Sequence, residues 1–308
     1  MCALKCTDSP VAYPAARDKA RGALLGLAVG DALGATVEFM SPDEIRSRYG
    51  IHDKMTGGGW LYLRPGQVTD DTEMSIAIAR AIVDRGTFDI AAVAESLANW
   101  LIGKPVDVGS TCSQGISRYL IKRTLEAPKS DWHAGNGAAM RMGPVALASF
   151  CAPENLGRWS LEQARFTHNH PLSDDACLMI GQLVHAALAG QGKVGMYKIA
   201  RSYPEFAFEP FNGKAGGYIV ETMAAVLSSF FDTDTFEDCI VTTVNLGQDA
   251  DTTGAIAGLI AGAHYDVNSI PRRWLGKLDP KIREELSLLA EKLLALGLSS
   301  SKIFQVLD

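Results

Sequence analysis

The sequence predicts an all-α fold on three observations. Apolar residues recur at three- and four-residue spacing through eight long segments, the rhythm that lines one side of a helix. Alternating β-branched runs bounded by turn pairs are nearly missing, the nearest being short pieces at 60–63 and 206–208. In two of the eight segments glycines fall four residues apart, on one helical face, where missing side chains let another backbone come close.

In chain order, residues 1–16 carry two prolines and read as a loose, flexible leader. Folded structure is expected to begin near Arg17 and to continue as a single domain over 17–308, because no composition shift marks a boundary. The first helix is predicted over 18–36. Its glycines, Gly22, Gly26, Gly30 and Gly34, each cost about 1 kcal/mol against alanine in a helix interior, so an offset is needed. Close backbone packing is one offset; a glycine-tolerant core without functional meaning is the plainer alternative. A loop over 52–69 leads to helices over 72–85 and 89–102. Further loops, rich in Gly, Pro, Asn or Asp, are expected at 103–111, 127–138, 151–158, 166–172 and 203–217. Helices over 173–189, 218–231 and 235–245 follow. The helix over 251–264 repeats the glycine spacing at Gly254, Gly258 and Gly262, and a helix over 280–296 completes the set.

Composition narrows the class. With 308 residues, 47% hydrophobic and 21% charged, the chain reads as a folded soluble protein and not as a disordered or collagen-like one. The net charge of −6 with no basic run argues against nucleic-acid partners. Six cysteines without a CxxC pair fit reduced thiols in a cytosol. Apolar stretches such as GALLGLAVG and GAIAGLIAGA fall short of the roughly 18 residues of a membrane span, and the first residues lack a signal-peptide core. A cytoplasmic protein is expected, with any membrane contact peripheral.

Two knots of aspartate and threonine stand at the mouths of helical runs: Thr69-Asp70-Asp71-Thr72-Glu73 and Gln248-Asp249-Ala250-Asp251-Thr252-Thr253-Gly254. Neighbouring aspartates diverge by roughly 100° on a regular helix, so both clusters read as helix N-termini. Capping is one account of each, since Asp and Thr are favoured N-caps. Yet a cap needs one short side chain, and crowding carboxylates without a counterion is unfavourable. Four carboxylates with threonine hydroxyls and no Cys or His in either knot describe an oxygen-ligand site for magnesium or manganese. Glu38, after the first glycine helix, is a candidate acid, base or water-orienting group. Asp31, inside that helix, is a rival candidate or a buried partner for a backbone end. Asp107 lies in a Pro- and Gly-bounded loop, and Asn136 between glycines that allow close approach of a ligand to backbone N–H groups. His168 and His170, two apart before a proline, suit bonds to backbone or ligand better than a zinc pair.

The ordered set GALLGLAVGDALGATVEF, GGGW, PGQVTDDTEM, KPVDVGSTC, GNGAAMR, THNHPLSDDA and GQDADTTGAIAGLIAGAHY resembles the ADP-ribosylglycohydrolases from about residue 17 to 296. Within that family it is most similar to members that reactivate nitrogenase iron protein. The resemblance implies an all-α orthogonal bundle around a central cleft holding two Mn2+ or Mg2+ ions. By position, Thr69, Asp70 and Asp71 would supply one half of the metal site and Asp249, Asp251 and Thr252 the other. Glu38 would lie beside the centre and Asp107 would contact the reacting ribose. Gly109, Ser110, Asn136, Gly137 and Met140 would hold the diphosphate and ribose, with His168 and Tyr218 on the adenosine or ribose side. The implied reaction removes ADP-ribose from an arginine side chain, with Asp107 or Glu38 as acid or base. Implied partners are the ADP-ribosylated iron protein, a PII-type signalling protein and, through it, a membrane ammonium transporter; a monomer is expected. Two departures stand out: Gln248 where relatives usually have Gly, and Ser110 where a related loop has Asn. A general ADP-ribosylarginine hydrolase, a crystallin-like relative or an ADP-ribose-binding module are the alternatives.

Overall fold

A computed structural model describes residues 13–299, which run through fourteen α-helices. These are α1 (Tyr13–Gly34), α2 (Pro42–Tyr49), α3 (Asp70–Arg85), α4 (Ile90–Ile102), α5 (Ser110–Lys122), α6 (Gly143–Ala148) and α7 (Pro153–Arg165), then α8 (Pro171–Leu188), α9 (Lys193–Ala200), α10 (Ile219–Phe231), α11 (Phe236–Val244), α12 (Ala250–Tyr265), α13 (Arg272–Leu275) and α14 (Pro280–Ser299). No strand occurs among the described residues; the pairs Gly58–Leu63 and Gly135–Tyr218 form isolated bridges.

Helices α1 and α12 form the centre, and the glycines explain how. A Cβ built at Gly22, Gly26, Gly30 or Gly34 would sit 1.9–2.2 Å from a backbone oxygen of Gly262, Gly258, Gly254 or Ala250 respectively. The two helices therefore run antiparallel with their backbones in contact, and the glycine-tolerant alternative is excluded: a side chain at any of these positions would force the helices apart. Every residue of α1 from Gly22 onward and of α12 up to Ala263 is buried, as expected of helices that are apolar all round. Helices α14, α3 and α6 pack on α1, and α11, α10 and α8 pack on α12. One continuous apolar core runs from Ala16 to Leu294.

All eight expected helices are present, and others appear where turn residues obscured them. The chain is helical from Tyr13, four residues before the expected start, because Pro14 falls in a first turn where its missing N–H costs nothing; the rest of the expected leader, 1–12, lies outside the described residues. The loop expected at 151–158 is largely helix α7, which Pro153 opens at its first position. Helix α2 also opens on a proline, behind a capping box in which Ser41 and Glu44 satisfy each other's backbone N–H. Cys112, Cys177 and Cys239 are free, as the expectation of reduced thiols has it, and buried, but Cys151 departs from that expectation: it is disulfide-bonded.

Candidate active site and metal centre

The antiparallel register of α1 and α12 carries the C-terminal end of α1, with Asp31 and Glu38, to the N-terminal end of α12, with Asp249 and Asp251. Asp31 binds the start of α3 there. Its carboxylate accepts from the Thr69 N–H (3.1 Å) and Oγ1 (3.0 Å) and from the Thr72 N–H (3.2 Å) and Oγ1 (2.5 Å). It does so fully buried, at 0% exposure. A carboxylate from another helix thus satisfies N–H groups that a helix leaves open at its own N-terminus.

That arrangement frees the knots from capping. Neither N-cap residue, Thr69 or Asp249, makes a side-chain capping bond. Instead Asp71 Oδ2 lies 3.3 Å from Thr69 Oγ1, which shares its single proton with Asp31, and accepts from Thr252 Oγ1 (3.4 Å), so the two knots, 181 residues apart, touch directly. Asp70 Oδ2 accepts from the Gly109 N–H (3.1 Å), which ties in the start of α5. Asp249 Oδ2 accepts from Asn136 Nδ2 (2.7 Å), whose amide also donates to Thr222 Oγ1. Glu38 Oε2 accepts from Trp60 Nε1 at 2.6 Å. Carboxylate oxygens of Glu38, Asp107 and Asp251 lie within 4.8 Å of one another and offer an oxygen donor set.

Glu38, Asp70, Asp107, Asp249, Asp251 and Thr252 face a cavity of about 510 Å³, within the size range of small-molecule sites. Its wall contains no Lys or Arg among the described residues. The electrostatic consequence is severe for the metal-free protein. Burial, and after it the charges of Asp107, Asp31 and Asp249, raises Asp70 to about 7. Burial raises Glu38 to about 8, opposed by the Trp60 hydrogen bond and supported by Asp249, Asp107 and Asp70. Burial and neighbouring carboxylates push Asp71 and Asp251 well above the ordinary range. Asp71 Oδ1, buried, has no hydrogen-bond partner. An orphaned carboxylate oxygen among acidic neighbours, with hydroxyls and no sulfur or imidazole, is a donor set that fits hard divalent cations.

Of the expected site residues, Glu38, Asp70, Asp107, Gly109, Ser110, Asn136, Gly137, Met140, His168, Asp249, Asp251 and Thr252 all line the cavity. Thr69 and Asp71 lie behind the wall with no exposed surface. Tyr218 stands half exposed before α10, outside the wall, although the adjoining Gly216 and Gly217 are in it. His168 is buried, bonded through Nδ1 to Thr167 Oγ1 (2.8 Å), and burial with the nearby Arg141 charge holds it well below the usual histidine range, hence neutral. His170 accepts from the Leu172 N–H and caps α8. The residue reading missed Phe39 and Trp60, both in the wall; the run GGGW and the phenylalanine beside Glu38 were the available signals. Gln248 does not face solvent freely. Its backbone lies at φ 57°, and its Oε1 accepts from the Ala215 N–H at 3.3 Å beside the Gly216–Gly217 wall.

The comparisons with known proteins agree with this geometry. The family model for ADP-ribosylglycohydrolases matches residues 12–302. The chain is 54% identical over 288 residues to the ADP-ribosyl-dinitrogen reductase glycohydrolase of Rhodospirillum rubrum, covering 92% of this chain and 98% of that one. It is 32% identical to an ADP-ribosylarginine hydrolase of Serratia proteamaculans, covering 90% and 79%. A solved ADP-ribosylglycohydrolase-related protein complex superposes with a TM-score of 0.82 at 32% identity, covering 92% and 99%. The chain is an enzyme of the ADP-ribosylglycohydrolase family.

Proposed function

We propose that this enzyme hydrolyses the N-glycosidic bond between ADP-ribose and an arginine side chain, and that its protein substrate is the ADP-ribosylated nitrogenase iron protein, which it thereby reactivates. The observation that carries the reading is the contact of the two Asp/Thr knots through Asp71 and Thr252 at a cavity lined by further carboxylates. The substrate follows from the relative at 54% identity, named for dinitrogen reductase. Residues 17–308 act in this reading as one catalytic domain.

Thr69, Asp70 and Asp71 on one side and Asp249, Asp251 and Thr252 on the other would hold two Mn2+ or Mg2+ ions. Bound divalent ions polarise ribose hydroxyls and lower the pKa of water. The chain's own groups do the rest. The first-turn N–H groups of α5 from Ser110 receive the diphosphate, since open N–H groups at a helix start favour anions, and Gly137 lets it approach beside Asn136, whose own N–H is spent on the Gly217 carbonyl. In this reading Gly109, Met140 and neutral His168 shape the ribose side, and Tyr218, outside the cavity wall, would reach the adenosine from its rim. Glycosidic cleavage leaves positive character on the sugar and a guanidine that must regain a proton. Asp107 and Glu38 are the carboxyls in reach of that task, with Glu38 fixed by Trp60.

Incubation with Mn2+ and ADP-ribosylarginine should release free ADP-ribose, and Asp251→Ala should abolish the release while the protein stays folded. A full-rate Asp251→Ala enzyme would sink the metal-site reading. The relatives named ADP-ribosylarginine hydrolases favour a second reading, a general hydrolase. Equal rates on modified iron protein and on another ADP-ribosylarginine protein would decide for it. A monomeric, cytoplasmic enzyme, a PII-type signalling partner and an ammonium transporter complete the proposal. No helix among the described residues is long and apolar enough to cross a membrane, so any membrane contact in this scheme goes through a partner.

A further inference from the structure

Two aromatic rings at the cavity's acidic side have no structural explanation in the core. Phe39 is 67% and Trp60 48% exposed, yet both line the cavity. Their ring centroids stand 5.4 Å apart at 53°. Phe39 holds φ 62°, a left-handed conformation that bulky residues rarely adopt. Its backbone is clamped there: its N–H donates to the Gln248 carbonyl at 2.6 Å, and the Gln248 N–H donates to the Met40 carbonyl at 2.8 Å. Trp60 is fixed as firmly. It follows Gly59, whose φ of 66° and approach to the Ala35 carbonyl exclude a side chain, and its indole N–H is spent on Glu38. A strained backbone that presents an apolar ring to solvent gains nothing from burial, and such strain concentrates where a ligand is clamped.

We infer that Phe39 and Trp60 form the subsite for the arginine of the modified protein, gripping the guanidinium and its aliphatic stem; this rests on the function proposed above. Position decides which end of the substrate they meet. Trp60 bonds to Glu38, whose oxygens cluster with those of Asp107 and Asp251, and the proposed function puts Glu38 and Asp107 at the glycosidic bond, so the pair stands where the arginine departs. The wall made by Gly135, Gly137, Cys112 and His168 lines the same cavity without an aromatic side chain stacked on it, and is left to the nucleotide half. A planar guanidinium stacks on aromatic faces, so the pair specifies the cation that leaves and not the nucleotide that stays.

The test measures KM and kcat for ADP-ribosylarginine, and the dissociation constant of ADP-ribose, in Phe39→Ala, Phe39→Leu and Trp60→Phe. Both Phe39 variants should raise KM for ADP-ribosylarginine about tenfold, the scale of a partly desolvated cation–π contact, and leave ADP-ribose binding within about twofold. Trp60→Phe keeps a ring and loses the Glu38 bond, so its effect should fall on kcat. Tyr62→Ala removes a ring from the same loop that is 90% exposed and outside the wall, and should change neither constant. Equal weakening of ADP-ribose would make the pair a nucleotide contact and overturn the inference, as would an unchanged KM. Failure of the wild-type protein to hydrolyse ADP-ribosylarginine would overturn the proposed function instead. The subsite would then be read from the dissociation constants of ADP-ribosylarginine and ADP-ribose, whose ratio Phe39→Ala must bring close to one.

Discussion

Gly30→Ala sets two effects of opposite sign against each other. Helix propensity alone favours alanine by about 1 kcal/mol. A Cβ at Gly30, however, would stand 1.9 Å from the Gly254 carbonyl oxygen and 2.3 Å from its carbon, both backbone, where ordinary contact begins at 3.4 Å. The helices must part by about 1.5 Å, and no side chain can rotate away to avoid it. Overpacking a core costs about 1–3 kcal/mol when side chains can adjust. With backbone on both sides the upper end or more applies, so a net loss of about 2–3 kcal/mol remains after the propensity gain. Gly157, inside α7, is the control: a Cβ there meets nothing within 4 Å, and Gly157→Ala should stabilise by roughly 0.5–1 kcal/mol. Urea unfolding at constant slope measures both. Hydrolysis by Gly30→Ala should also fall, because parting α1 from α12 separates Glu38 from Asp251, and about 1 Å of misplacement can cost 10²-fold. A Gly30→Ala enzyme as stable as wild type, or one shifted in the same direction as Gly157→Ala, would refute the backbone-contact reasoning.

Asp31→Ala should destabilise the metal-loaded enzyme by about 2–3 kcal/mol, because two backbone N–H groups and two hydroxyls lose their acceptor in the core; a shift under about 0.5 kcal/mol in denaturant would contradict the tertiary cap. With metal chelated, stability should fall as pH rises. Asp70 and Glu38 bind protons more tightly folded, to about 7 and about 8, than their ordinary 3.8 and 4.5, so their contribution is complete below the lower values and lost through the higher ones. Thermal melts should show a lower Tm at pH 8 than at pH 6, recovered by Mn2+; a chelated Tm that rises over that window would be the contrary result. Gln248→Gly should relieve the φ 57° backbone and leave stability level or higher, while loss of the bond to Ala215 raises KM for ADP-ribosylarginine about threefold, on the scale of one neutral hydrogen bond. An unchanged KM would show that the side chain does not order the 213–217 wall.

The helices were legible because their signals are local. Apolar spacing in 72–85 or 280–296 needs only the neighbouring turns, and the glycines of α1 and α12 repeat within a single face. Six helices stayed hidden: α5, α6, α9 and α13, and also α2 and α7, which open on prolines whose meaning depends on which turn they occupy. The two Asp/Thr knots were legible as chemistry from residue type, and their pairing from family resemblance. What each knot does was not. Spacing along one helix cannot tell whether Thr69 caps its own N-terminus or whether Asp31, 38 residues earlier, does so from another helix. Nor can it bring Asp71 within hydrogen-bonding reach of Thr252. Sequence by itself determined eight of the fourteen helices, the acidic residue types and the glycine faces. The antiparallel register of those faces, a property of two backbones in contact, decided that the carboxylates converge, and the clamp around Phe39 and Gln248 decided what stands over them.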